Sequence, residues 1–591
     1  MPLRRLLALL AFMLTAVATV PAQAQSCIGA VAVCDEAVPG SVALIAQGAP
    51  ATVLIDADAD PAIGHAARNL ATDLGRVGGT AAAVVHGPAA VRGPVVLIGE
   101  LGKSPLLDDL RRRGLIDAAD LAGQWEAYRQ VVVDNPFPDV PRALVIVGSD
   151  RRGAVFGTYD LSERIGVSPW YWFADVPVER RANVFLAPGS RRDQPRVKYR
   201  GFFINDEAPA FSEWTRAKFG GANSEAYAHV FELLLRLKGN YLWPAMWAPR
   251  AFNDDDPRNM VLADEMGVVM GTSHHEPLTR AQDEWHRNTE QGVTGGAWNY
   301  ETNAANLRTF WRGGVERMMS KGDGKGYEAL LTVGMRGDGD EAMSEGTAIP
   351  LLERIVADQR AIIAEVTGKP ASATPQVWAL YKEVQDYYDA GMQVPDDVTL
   401  LFSDDNWGQI RRLPAIGAPP RAGGYGVYYH FDYVGAPRNY KWLDTVQIEK
   451  TWQQMDLAWQ RGARTIWIVN VGDIKPEEFP LSFFMAQAWN PEAMDLEALG
   501  RFPENWARAA FGPAQAARIG AILTRYGQLA ARRKPELVDA RSFALGDGAG
   551  PQLDGGEFGA IVAEWDALER DMRAVAATIP AAHRAAWFEL V

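Results

Sequence analysis

Between Arg196 and Pro491 one unit recurs eight times: a short apolar run, a knot of polar and aromatic residues, then a stretch of helical period. The runs are Tyr199–Ile204, Asn240–Pro244, Val268–Gly271, Ala329–Val333, Gln376–Leu380, Thr399–Phe402, Gly426–Tyr429 and Thr465–Val469. Each is too short for a helix and too apolar for an exposed strand, which is the signature of parallel strands buried on both faces. The stretches between them carry helix signals. Tyr227, Val230, Phe231, Leu234 and Leu235 fall at i, i+3, i+4, i+7 and i+8, and Gly239 is expected to close that helix. Asp256-Pro257 opens another, with Gly267 at its end. Eight β/α units in about 295 residues is the count and size of a (β/α)8 TIM barrel. A doubly wound open sheet also alternates strands and helices, but Gly337-Asp-Gly339 is too little for its glycine-rich phosphate loop.

The flanks divide the rest. Residues 1–25 read as a secretory signal: Arg4 and Arg5, an apolar run from Leu6 to Val20, and Ala22-Gln23-Ala24 as the cleavage pattern. A periplasmic or secreted protein is expected. Cys27 and Cys34 are the only cysteines, and a small disulfide loop suits such a compartment. Residues 26–195 alternate strands and helices as a small α/β domain. Its strands are Ala51–Ile55, Pro94–Ile98, Gln130–Val133 and Ala143–Val147, and its helices Pro61–Leu74 and Arg152–Ile165. Residues 492–591 are Ala- and Arg-rich, with amphipathic helices over Ala514–Arg532 and Phe558–Ala577. The fold class is therefore α/β, a catalytic barrel between a small α/β domain and a helical bundle. The closing Trp587, Phe588, Leu590 and Val591 are expected on an apolar face without a partner, as in an incomplete bundle.

With 59 Lys+Arg against 73 Asp+Glu, the net charge of −14 argues against nucleic acid and against anionic membrane as partners. The 19 tryptophans suit sugar faces as well as a large core.

A (β/α)8 barrel carries its chemistry just past the C-terminal ends of its strands. Those positions hold Asn205, Asp206 and Glu207; Trp243 and Trp247; Ser273, His274, His275 and Glu276; and Arg336, Asp338, Asp340 and Glu341. The remaining four hold Tyr381 and Glu383; Asp404, Asp405, Asn406 and Trp407; His430, Asp432 and Tyr433; and Asn470 and Asp473. An acid on one tip is an ordinary helix cap. Trp243 suits barrel core, one of His274 and His275 is expected to be a packing histidine, and Asp254-Asp255-Asp256 suits a cap cluster better than a calcium site. Acids or histidines on nearly every tip converge on one mouth. Arg336 among carboxylates reads equally as their counterion or as the partner of a substrate carboxylate. Paired carboxylates with Trp, Tyr and Asn are what glycoside hydrolysis needs: one acid protonates the leaving oxygen, and a second activates water or attacks the sugar.

The blocks Tyr199-Arg-Gly-Phe-Phe-Ile-Asn-Asp-Glu207, Asn240-Tyr-Leu-Trp-Pro-Ala-Met-Trp247, Gly271-Thr-Ser-His-His-Glu-Pro277, Gly334-Met-Arg-Gly-Asp-Gly-Asp340, Tyr381-Lys-Glu383, Phe402-Ser-Asp-Asp-Asn-Trp-Gly408 and Tyr428-Tyr-His-Phe-Asp-Tyr433 resemble glycoside hydrolase family 115. The resemblance runs in order through the whole middle domain, and the flanking domains match the family layout. It implies an inverting xylan α-1,2-glucuronidase that removes glucuronate or 4-O-methylglucuronate from glucuronoxylan or its oligosaccharides. No cofactor and no metal are implied. Glu383 matches the proposed general acid, and Asp206, Asp340 and Asp404 match the other pocket acids, with Asp340 the first choice of base. Asn205, Trp247, His275, Arg336, Tyr381, Asn406, His430, Tyr433 and Asn470 match ligand-contacting positions. The family continues into a β-rich domain beyond the helical bundle, and homodimerisation is expected of the full-length form.

Glu383, expected between Tyr381 and Trp378, should sit in an apolar aromatic setting that keeps a carboxyl protonated. The uronate carboxylate needs a cation, for which Arg336 and a protonatable histidine are the candidates. Two rival readings remain at this stage: a metal-dependent barrel hydrolase using His274, His275, His430 and Asp404, and a non-catalytic uronic-acid-binding protein.

Overall fold

The computed structural model describes residues 27–88, 91–206, 208–287, 295–344, 346, 348–432, 443–534, 537–539, 541–543 and 556–591. The expected signal segment, Glu207 and Tyr433 lie outside these. Cys27 and Cys34 form a disulfide.

The N-terminal region holds a mixed six-stranded sheet and a smaller four-stranded one. In the larger sheet, Thr52–Ile55, Val95–Glu100 and Val140–Gly148 run parallel, and Tyr128–Phe137 pairs antiparallel with Val140–Gly148. Helices Pro61–Gly78 and Arg151–Arg164 bury their apolar faces against it. Asp60 and Asp150 cap them by accepting backbone N–H bonds from Ala62 and Gly153.

All eight expected barrel strands form: Tyr199–Phe203, Tyr241–Trp243, Val269–Met270, Leu331–Thr332, Gln376–Leu380, Val398–Ser403, Tyr425–His430 and Ile466–Asn470. Neighbours pair in parallel around the sheet, and a bridge between Met270 and Ala329 joins the third strand to the fourth. The interior is unusually aromatic: Tyr199, Phe203, Tyr241, Trp243 and Tyr428 pack there with Ile466 and Ile468. Trp243 is fully buried and donates its indole N–H to the Tyr241 hydroxyl at 2.6 Å, so it is core, as one reading of the sequence had it. Gly201 makes this closeness possible, because a Cβ there would lie 1.5 Å from the Tyr241 carbonyl oxygen.

Helix Ser224–Arg236 buries all five expected apolar residues. Its end differs from expectation in one respect. The left-handed residue is Lys238 (φ 60°), and Gly239 closes the helix one position later, its N–H donating to the Leu234 carbonyl at 2.8 Å. Gly267 closes Arg258–Met266 in the left-handed conformation, as expected. Asp254, Asp255 and Asp256 act as caps and ion-pair partners: Asp256 accepts from the Ser224 and Arg258 amides, and Arg287 pairs with the other two.

The N-terminal domain closes the bottom of the barrel. Glu126 is fully buried and accepts bonds from Arg152, from Arg200 Nη2 at 2.7 Å and from Asn240 Nδ2 at 2.7 Å, the last two at the entrances of the first and second strands. Removing one member of a buried ion cluster leaves uncompensated charge, at a cost of about 3–5 kcal/mol. Glu126→Ala should therefore lower unfolding stability by about 3 kcal/mol or more in a denaturant titration. A loss below about 1 kcal/mol would show that water reaches Arg200.

The C-terminal region comprises helices Leu496–Phe511, Ala516–Arg532, Gly556–Ala576 and Arg584–Leu590. The expected unpartnered closing face is split. Trp587 is buried with its ring 5.9 Å from Phe511, and Leu590 packs on the same core, whereas Phe588 and Val591 face solvent. Among the described residues, no helix is long and apolar enough to cross a membrane.

Candidate active site

The C-terminal ends of the strands bring most of the expected residues to one mouth, and Arg336 organises it. This arginine follows the fourth strand and is 3 % exposed. Its Nε and Nη2 donate to both oxygens of Glu383, at 2.9 and 2.7 Å, and its Nη1 contacts the Asp340 carboxylate and the Asp340 carbonyl. One guanidinium thus joins the carboxylates of the fourth and fifth strands, a geometry that favours Arg over Lys. In this structure four of its five N–H groups go to these two acids, so Arg336 stands as their counterion.

Asp340 ends a turn, Asp338–Asp340, in which Gly339 (φ 67°) and Asp340 (φ 63°) are both left-handed. His274 Nε2 lies 2.8 Å from Asp340 Oδ1 and His275 Nδ1 lies 3.5 Å from it. Burial alone would raise the Asp340 carboxyl, but the His274 hydrogen bond and the Arg336 charge oppose it and hold it below the usual carboxylate range. Burial pushes His274 down and His275 to about 3, so both rings are neutral near pH 7. Neutral His274 then donates from Nε2 to Asp340 and accepts from Ser273 Oγ, 3.1 Å from its Nδ1.

The lowered His275 value has a consequence for stability. Unfolded, this ring titrates near 6.5; folded, near 3. Between these the unfolded chain binds a proton that the folded chain does not. Stability is therefore fully present above about pH 6.5 and falls with decreasing pH, by about 1.4 kcal/mol per pH unit for such a group. His275→Gln should flatten the dependence of unfolding free energy on pH between about 6 and 4. An unchanged slope would mean that His275 takes up its proton in the folded state.

Glu383 differs in setting from the expectation. Trp378 is three residues before Tyr381 on an extended strand, so the two point to opposite faces. Trp378 packs outward with the helices and Tyr381 inward. The Glu383 carboxylate meets a guanidinium in place of two rings. Tyr381 stacks on His430 at 5.6 Å, and Arg336 and Lys382 both lie over its ring. Lys382, which the sequence reading passed over, is a half-exposed cation beside these acids: its side chain is 48 % exposed and its Nζ is 3.8 Å from Asp340 Oδ2. It was visible in the sequence as the lone cation between Tyr381 and Glu383.

The other acids are engaged locally. Asp404 is buried and pairs with His430 Nδ1 at 2.5 Å, while accepting from the Asn406, Gly408 and His430 amides. Asp206 accepts from the Ala208 amide at 2.9 Å and from the Ser212 hydroxyl. Asn205 accepts from Trp247 Nε1 at 2.7 Å, and the Trp247 ring lies 5.6 Å from His275. Asn470 accepts from the Gly472 amide at 3.0 Å, with its Nδ2 3.5 Å from the Tyr428 hydroxyl. Asn406 is left-handed (φ 64°), and among the described residues nothing donates to its buried Oδ1. An acceptor in that state suits a ligand hydroxyl.

His274, His275 and Asp340 present ligand atoms within 4.8 Å of one another, a spacing that suits a metal ion. Their surroundings do not. Arg336 occupies the same Asp340 oxygen as His274, and Lys382 stands beside the other, so a dication would face two fixed positive charges. His430 and Asp404, the other members of the metal reading, bond to each other.

All of these residues fall within 192–537, the segment that matches glycosyl hydrolase family 115. The chain belongs to that family. Of the solved structures, a family GH115 4-O-methyl-α-glucuronidase with specificity for decorated arabinogalactans is 30% identical, with a TM-score of 0.81 over 93% of this chain and 71% of that one. A GH138 enzyme targeting pectin rhamnogalacturonan II shares the fold at 12% identity, with a TM-score of 0.51 over 82% of this chain and 56% of its own. No curated protein matches by sequence. This family 115 member is accordingly an enzyme, a glycoside hydrolase, whose barrel carries the carboxylate pair described above.

Proposed function

We propose that this hydrolase removes α-1,2-linked glucuronic acid or 4-O-methylglucuronic acid side chains from xylan, by single displacement with inversion. The observation that carries the reading is the pair of carboxylates on one guanidinium, Glu383 and Asp340, beside a half-exposed lysine. Asp340, held as an anion, accepts the proton of the attacking water. Glu383, the more exposed of the two, takes a proton from solvent on one oxygen as it turns from Arg336 to the bound substrate, passes it to the leaving oxygen, and returns to Arg336 as a carboxylate. A carboxylate kept charged and a second that reaches the leaving group are the two roles that inversion needs. Lys382 receives the uronate carboxylate, and Asn406 Oδ1 accepts a sugar hydroxyl. Asp206 and Asp404 hold the loops of the first and sixth strands, and Asp404 orients His430. We also read the protein as exported, on the strength of its first 25 residues.

One observation favours a second polymer. The 30% identical relative is specific for decorated arabinogalactans. Incubation with glucuronoxylan, its oligosaccharides and a glucuronate-bearing arabinogalactan, with released uronate measured over time, decides between them. Release from glucuronoxylan at a rate well above that from arabinogalactan supports the xylan reading. The reverse order moves the substrate to arabinogalactan. Binding of all three without release would leave a uronic-acid-binding protein.

A further inference from the structure

The turn that carries Asp340 is closed by a backbone bond from the Gly337 N–H to the Glu341 carbonyl at 2.7 Å, and it is also held from outside. Two consecutive left-handed residues, one of them a non-glycine, are unfavourable for an isolated chain. Besides Arg336 on Asp340, side chains from the loop of the preceding strand hold them. Gln282, 6 % exposed, accepts the Gly339 amide N–H on its side-chain oxygen at 3.0 Å. Its own backbone N–H is anchored by Glu276 Oε1 at 2.8 Å. One turn further along the same short helix, Gln282–Arg287, His286 Nε2 lies 2.9 Å from Asp338 Oδ1. The helix is fixed in turn to the loop of the second strand, because Arg287 bonds to Asp255 at 2.6 Å and to the Pro249 carbonyl at 2.7 Å. A chain of contacts thus runs from the second strand through the third to the base on the fourth.

We propose that Gln282 is the positioning residue for Asp340, with His286 as its second contact: together they clamp the Asp338–Asp340 turn so that its carboxylate stays against Arg336 and His274. Gln282 touches no reacting atom in this account. The assignment of Asp340 as base rests on the function proposed above, whereas the clamp itself does not. Misplacing a catalytic group by about 1 Å can cost on the order of 100-fold in rate.

The test uses the full chain with Gln282→Leu, which removes the acceptor at similar volume, and Gln282→Glu, which restores an oxygen to the Gly339 amide. Hydrogen–deuterium exchange of the 336–341 segment reads the clamp without any substrate: Gln282→Leu should raise its exchange rate about tenfold or more, and Gln282→Glu should return it towards wild type. On a uronate-bearing glycan, Gln282→Leu should lower kcat by roughly 10- to 100-fold with KM within about threefold, and Gln282→Glu should recover most of kcat. Unchanged exchange in Gln282→Leu overturns the clamp. Faster exchange with unchanged kcat overturns the positioning role, as does a loss of kcat that Gln282→Glu fails to recover while its exchange is restored. If Gln282→Leu does not fold, Gly339→Ala takes its place. A Cβ there meets no atom within 4 Å, so the variant strains only the left-handed backbone and should lower kcat in the same way. If wild type releases no uronate from any of the glycans, the proposed function fails, and the exchange result still decides the clamp.

Discussion

Glu383→Ala should reduce uronate release from polysaccharide by about 10²- to 10⁴-fold while leaving an aryl glucuronide far less affected. The sugar leaving group needs a proton as its bond breaks, and a phenolate with an electron-withdrawing substituent does not. Asp340→Ala should instead impair both substrates together, because water must be activated whatever departs. Comparison of kcat/KM for the two substrates in the two variants reads the assignment. Proportional losses on both substrates in Glu383→Ala would exchange the roles or remove Glu383 from proton transfer.

The second large effect is expected at Arg336. Its guanidinium is the shared counterion of Glu383 and Asp340, and at 3 % exposure it is screened little by water. Arg336→Ala should abolish activity on every substrate, aryl glucuronide included, and destabilise the fold by about 3–5 kcal/mol, since two carboxylates are left facing each other in a buried site. Lys382→Ala should behave differently. It should weaken binding of glucuronate by about tenfold or more and barely alter binding of glucose, in keeping with the loss of one charge-assisted contact. Calorimetry with both sugars separates the two residues. Selective loss of glucuronate binding in Arg336→Ala, with the fold intact, would restore Arg336 as the partner of the substrate carboxylate.

The barrel was legible because its strands are buried on both faces and its helices are amphipathic, so the chain alternates between two recognisable patterns. The gathering of the candidate residues followed from strand ends alone, and His274, Arg336, Asp340 and Glu383 do meet there. What the sequence could not convey was how one loop uses another. Arg336 reads as a free cation among acids until its donors are seen to be taken by Glu383 and Asp340. Trp378 reads as a neighbour of Glu383 until the alternation of the strand turns it outward. The Gln282 contact to Gly339 joins residues of separate loops, 57 positions apart in the chain, that no local pattern links. The end of helix Ser224–Arg236 is of another kind: Gly239 closes it through its N–H to Leu234, while the left-handed angle falls on Lys238.

The most direct test of the account is the configuration of the sugar first released. Proton NMR of the anomeric region during hydrolysis of glucuronoxylan by the wild-type protein, recorded before mutarotation, should show the β-anomer of glucuronic acid or its 4-O-methyl ether appearing first, with the α-anomer growing in as mutarotation proceeds. Initial appearance of the α-anomer would contradict a single displacement by water activated at Asp340.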